Sequence, residues 1–105
     1  VRYNNANYYS DKTVAENNIR ADKLLRQLRR FAVEHRKSEI DWHNESQCKY
    51  YIYNETNTTN LDIDYCHITR YFGGIYFDTS EAANLAISTF HDELVWYFTE
   101  YKDSL

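Results

Sequence analysis

The chain has 105 residues and contains no methionine, only two glycines and only two cysteines. Beginning at Val1 with no methionine anywhere, it is expected to lack its natural start. The glycines are neighbours, Gly73 and Gly74, so no glycine-rich loop exists to cradle a phosphate. A positive-φ turn is the expected use of that one pair. Cys48 and Cys66 fall in different predicted strands. They could meet across a sheet, but spacing does not fix that geometry, and two reduced, half-buried thiols in a cytosolic protein are the expected state. No stretch approaches the ~18 apolar residues of a membrane span, and no signal-peptide core is evident. A cytoplasmic protein without membrane contact is therefore expected. Without an export signal, the glycosylation-pattern triplets Asn44-Glu-Ser46, Asn54-Glu-Thr56 and Asn57-Thr-Thr59 read as by-products of an Asn/Thr-rich composition.

Catalytic and metal signatures are equally scarce. Tetrahedral zinc sites want paired ligands at short spacing, and no CxxC or HxxxH pair occurs, which leaves Cys48, Cys66, His67 and His43 as weak candidates. The four histidines, His35, His43, His67 and His91, are scattered, and no nucleophile sits in a recognisable elbow. Cys66 and His67 adjoin on a predicted strand, where neighbours point to opposite faces and do not readily share a site. No enzymatic activity and no cofactor are expected.

What the chain has in abundance is aromatic surface and segregated charge. Eleven Tyr, five Phe and two Trp make up 17% of it. A mean hydropathy of −0.79 beside 43% apolar residues fits a core built partly of tyrosine, whose ring buries while its hydroxyl stays at the rim. Residues 1–37 carry nine Lys/Arg against four Asp/Glu, and residues 38–105 carry three against twelve. The formal charges are +5 and −9, for a total of −4. Two electrostatically distinct surfaces favour docking onto a charged partner.

The length suits one domain with a real core. Residues 1–10 have no period and are expected to form a flexible arm, anchored by Tyr8 and Tyr9. A capping-box candidate, Thr13-Val-Ala-Glu16, opens a helix expected over 13–36, with Ala21, Leu24, Leu25, Leu28, Phe31 and Ala32 as its buried stripe. Residues 37–48 read as a polar linker pinned by Ile40 and Trp42. Residues 49–54 and 61–68 read as strands around an Asn/Thr turn, and 75–77 as a third strand after the Gly-Gly turn. Asp78, Thr79 or Ser80 caps a helix carrying Ala83, Ala86, Ile87 and Phe90. Asp92 is a candidate cap for a last helix containing Leu94, Val95, Phe98 and Tyr101. The expected fold is α+β in the order α-β-β-β-α-α: a long N-terminal helix, a three-stranded antiparallel sheet over 49–77 and a helical pair over 80–102.

The strings Lys49-Tyr-Tyr-Ile-Tyr-Asn54, Gly74-Ile-Tyr-Phe77, Ser80-Glu-Ala-Ala, Phe90-His-Asp-Glu-Leu94 and Trp96-Tyr-Phe-Thr-Glu-Tyr101 resemble a module in small proteins of phages and prophages of low-GC Gram-positive bacteria. The resemblance spans roughly 42–102 and rests mostly on core and turn positions. The chain departs from it in the Asn/Thr-rich hairpin turn and at His91, where the module often has Gly. What the resemblance implies is a phage protein in the bacterial host cytoplasm; some small phage proteins of this kind block host defence, particularly RNA-guided nucleases.

Binding residues are expected on two surfaces. Lys23, Arg26, Arg30 and Lys37, with Arg29 and Arg36 nearby, form an exposed helical stripe suited to phosphates or an acidic protein patch. The plain alternative is a solvated face paired with Asp22, Glu34 and the acidic half of the same fold. On the other side, Asp62 and Asp64 share one strand face, among Glu55, Asp92, Glu93 and Glu100, and could occupy the DNA groove of a nuclease. Tyr51 and Tyr53 alternate with them in a potential aromatic patch, whose counterpart is an ordinary wet face. The expected function is inhibition of a host defence nuclease by binding the RNA-guided effector or its nucleic-acid complex. The alternative is a phage nucleic-acid-binding or regulatory protein that uses the basic helix directly. A homodimer through the tyrosine-rich sheet is a further expectation.

Overall fold

A computed structural model describes residues 11–105. The expected arm over 1–10, with Tyr8 and Tyr9, lies outside the described residues. The elements run α1 (Asp11–Glu34), β1 (Lys49–Asn54), β2 (Leu61–Cys66), α2 (Ser80–Thr89) and α3 (His91–Trp96). A π turn (Tyr97–Tyr101) and a 3-10 turn (Lys102–Ser104) continue α3.

Ala21, Leu24, Leu28, Phe31 and Ala32 recur every three or four residues of α1, and all five are buried. The helix begins two residues before the expected start, so Thr13 sits within its first turn instead of capping it. Asp11 also lies in that turn, where the helix dipole favours a carboxylate. It ends at Glu34. The His35 ring stacks on Phe31 at 3.8 Å and its backbone N–H reaches Phe31 O at 3.0 Å, closing the last turn. Arg36 and Lys37 therefore leave the helix, and the expected stripe stops at Arg30.

Helix α2 contributes Ala82, Ala83 and Ala86, all buried. With only methyl groups on this face, α2 approaches both α1 and the sheet closely, and Leu24, Phe77 and Leu94 fill the space around it. Of the three candidate caps, Thr79 is the one that closes the helix start, its hydroxyl accepting Ala82 N–H at 3.1 Å. Helix α3 starts directly at His91 after Phe90, with Asp92 in its first turn and not at the cap. Trp96 is buried and Tyr97 half-buried at its edge. The backbone then loosens, and Lys102 N–H bonds Tyr97 O five residues back.

Strands β1 and β2 pair antiparallel, Lys49 with Cys66 through Asn54 with Leu61. Alternation places Tyr50, Ile52, Leu61 and Ile63 against the helical core. In the turn between the strands, the Asn54 side-chain amide donates to Thr58 O and Asn60 O, both at 2.9 Å, and Asn57 takes φ 67°.

The expected third strand does not form. Tyr50 and Phe77 exchange two backbone hydrogen bonds, at 2.9 and 2.8 Å, and this single bridge is all that remains of it. Beyond Phe77, the Asp78 carboxylate turns away to accept Lys37 N–H (2.8 Å) and Ser38 N–H (3.0 Å), and α2 begins at once. Before Phe77, the Tyr76 hydroxyl accepts Tyr71 N–H at 2.6 Å, folding the segment back on itself around Gly73, which has φ 69°. The result is a two-stranded α+β fold.

Candidate interaction surfaces

Lys23, Arg26, Arg29 and Arg30 are exposed on α1, on the side away from its buried stripe. Three- and four-residue steps put them on neighbouring turns, spread along about 10 Å of helix axis. Among the described residues none of the four forms an ion pair. Asp22 and Glu34, named as the helix's own neutralising acids, stand four residues from Arg26 and Arg30 on the same helix.

Arg20 is occupied. Its guanidinium donates to both carboxylate oxygens of Glu93, at 2.9 and 2.6 Å, and lies 3.9 Å above the Trp96 ring. The hydrogen bonds hold the Glu93 carboxyl below its usual range and raise the guanidinium above its own. Nearby, the Tyr101 hydroxyl donates to Asn18 at 2.7 Å, so the two contacts together latch α1 to the C-terminal segment. Arg36 pairs with Glu39 at 3.0 Å, and Lys37 is committed through its backbone to Asp78.

The opposite sheet face differs from the bare aromatic patch expected of it. Tyr51 packs on Tyr71 (5.3 Å) and Tyr76 (6.3 Å), and Tyr76 in turn meets Trp42 (4.9 Å). A hydrogen bond with Tyr71, then burial, pushes the Tyr51 phenol up to about 12. Tyr53 is also raised, by burial first and then by Asp62 and Glu55. Asp62 and Asp64 stay exposed, each accepting the backbone N–H of the next residue at 2.8 Å. The acids fall into two groups: Glu93 and Glu100 act on Arg20 with Asp92 beside Glu93, while Asp62, Asp64 and Glu55 gather around Tyr53. Glu55 and Asp62 line a separate depression with Tyr53, Ile87 and His91.

An open groove of about 530 Å³ lies between α1, the π turn and the 71–77 segment. Leu25, Leu28, Tyr51, Phe98 and Lys102 line it, and Phe72 stands at its margin, fully exposed. Arg29, one turn beyond Leu25, borders the same side of α1. Phe72 was not singled out by the sequence. Its only signal there is an apolar residue just before Gly73-Gly74 that belongs to no helical or strand period. Ile68 and Tyr71, also exposed, flank it on the same irregular segment.

The described residues contain no group of three or more His, Cys, Asp or Glu able to hold a metal ion. No helix among them is long and apolar enough to cross a membrane. Comparison with protein-family models, curated proteins and solved structures returns no match.

Proposed function

We propose that the protein is a non-catalytic binding protein of phage type that inhibits a host defence nuclease, an RNA-guided effector being the leading target class. In this reading Lys23, Arg26, Arg29 and Arg30 face the nucleic acid of the effector, and Phe72 with Tyr71 seats in a pocket of its protein. The observation that carries it is the fully exposed Phe72, held on a hydrogen-bonded turn beside a groove that Leu25 and Leu28 of the cationic helix help to line. Guanidinium forks suit phosphates. A rigid aromatic side chain exposed on a turn has the character of an interface anchor.

The unpaired cations taken alone favour a second reading, direct binding of nucleic acid with Tyr71 or Phe72 stacked on unpaired bases. Salt separates the two. Four phosphate contacts give a log–log salt slope of about −3 to −4 for free nucleic acid. The test is inhibition of target cleavage by RNA-guided nucleases of Gram-positive hosts, alongside anisotropy titrations with free duplex and single strands. Arg26→Glu with Arg30→Glu, and separately Phe72→Ala, are expected to abolish inhibition with folding intact, while Asp62→Lys with Asp64→Lys leaves it unchanged. Steeply salt-dependent binding of free nucleic acid without any inhibition would replace the first reading with the second.

A further inference from the structure

The thiol of Cys48 and the imidazole of His67 are 19 residues apart in sequence and 3.2 Å apart in space, Sγ to Nε2. The hairpin register brings them together. Lys49 pairs with Cys66, so the preceding Cys48 stands opposite the following His67, on the other face from Cys66. Two further contacts hold His67, one on its backbone and one on its ring. The Lys49 ammonium donates to the His67 carbonyl at 2.7 Å, and the His67 ring meets Tyr65 edge-on at 5.6 Å.

The second cysteine provides an internal contrast. Cys66 is equally half-buried, but its thiol donates to Thr69 O at 3.0 Å, and burial pushes it up, away from the reactive thiolate. It has no imidazole beside it. Because Cys66 lies on the opposite face, it is not placed to attack a disulfide formed at Cys48.

We propose that Cys48 is a site of S-thiolation, a nucleophilic thiol with His67 as its proton acceptor, whose co-substrate is a low-molecular-weight disulfide. The imidazole takes the Cys48 proton as Sγ attacks one sulfur of the disulfide. The S–S bond of the reagent breaks, a mixed disulfide forms on Cys48, and the departing thiolate takes the proton back from His67 to leave as a thiol. The modification persists in the protein, since no second thiol of the described residues is placed to resolve it.

The test uses the full chain with glutathione disulfide at neutral pH, the adducts being located by peptide mass spectrometry over time. Cys48 is expected to be thiolated at least about tenfold faster than Cys66 in the unmutated protein, a modest share of what a placed general base supplies. His67→Gln is expected to lower the Cys48 rate to near that of Cys66 while leaving the Cys66 rate and the circular dichroism unchanged. Equal rates at the two cysteines in the unmutated protein overturn the proposal without reference to any variant. A Cys48 rate indifferent to His67→Gln, in a folded variant, overturns the role of the imidazole.

Discussion

Lys49 is the only charged residue among the buried residues described, and truncating it should cost more than its type suggests. Its side chain is 0% exposed, its ammonium donates to Asn44 O and His67 O at 2.7 Å each, and the Trp42 ring lies 5.2 Å away. Those two bonds tie the loop after α1 to the end of β2. Lys49→Ala removes three buried methylenes, about 2.4 kcal/mol at ~0.8 each. It also removes two charge-assisted bonds of ~1.5–3 kcal/mol each, offset by several kcal/mol because an ammonium no longer has to be desolvated. The net expectation is a loss of about 3–5 kcal/mol. Lys49→Met keeps the apolar stem and loses only the charge, so it should cost about 1–3 kcal/mol and remain about 2 kcal/mol more stable than the alanine variant. Urea denaturation followed by circular dichroism measures both. Hydrogen exchange at Gln47, whose amide also bonds Asn44 O, should quicken in each. An alanine variant within about 1 kcal/mol of the parent, or equal to the methionine variant, would refute this account of the site.

The remaining predictions concern the latch and the Gly-Gly turn. Arg20→Ala should destabilise by about 1–2 kcal/mol, combining a half-exposed bidentate pair with the stacking on Trp96, and added salt should shrink the difference. Because the folded Glu93 carboxyl lies below its ordinary 4.5, the pair contributes its full stability above that pH and loses it as the pH falls through the folded value. Urea midpoints of the parent and Glu93→Gln should therefore differ at neutral pH and converge as the pH falls through the folded Glu93 value; a constant gap would contradict the latch. At Gly74 a Cβ would stand 2.6 Å from the Tyr76 hydroxyl and 2.8 Å from its ring, which is held by Tyr71 N–H and by Trp42. Gly74→Ala should thus cost about 1–3 kcal/mol, and a thermal shift of less than a degree would show that the ring yields freely.

Elements with one strong period were legible in the chain. Leu24, Leu28 and Phe31 declared α1, and Leu61, Ile63 and the Asn/Thr turn declared the hairpin. The third strand misled because Ile75-Tyr-Phe77 has strand-forming residues but competing local bonds. Asp78 serves two distant backbone amides and Thr79 caps α2, while the Tyr76 hydroxyl serves Tyr71; none of these choices is encoded in alternation. The end of α1 was overshot because Arg36 suits a helix C-terminus by charge, whereas the helix ends at Glu34, with His35 stacked on Phe31. Of the expected cations, Lys23, Arg26, Arg29 and Arg30 therefore share the helix surface, and Arg36 and Lys37 do not. The thiol–imidazole pair was invisible for another reason: register, not spacing, makes Cys48 and His67 neighbours.

Folding also explains why the split of charge along the chain survives in three dimensions. The helix packed on α1 is α2, whose only acid is Glu81, in its first turn. The acid that does reach α1, Glu93 of α3, pairs with Arg20 and is also lowered by the charge of Lys23, at the start of the cationic group. Lys23, Arg26, Arg29 and Arg30 recur at three- and four-residue spacing, where each like-charge pair costs about 0.2–0.5 kcal/mol, partly offset by Asp22 and Glu34 four residues from Arg26 and Arg30. Anions supplied from outside reverse the sign of that repulsion, and Arg29 stands one turn from Leu25, which lines the groove that Phe72 borders. On the proposed reading, electrostatic attraction and an apolar anchor act on the same approaching partner, and it is this pairing that argues for a nucleoprotein over a nucleic acid or a protein alone.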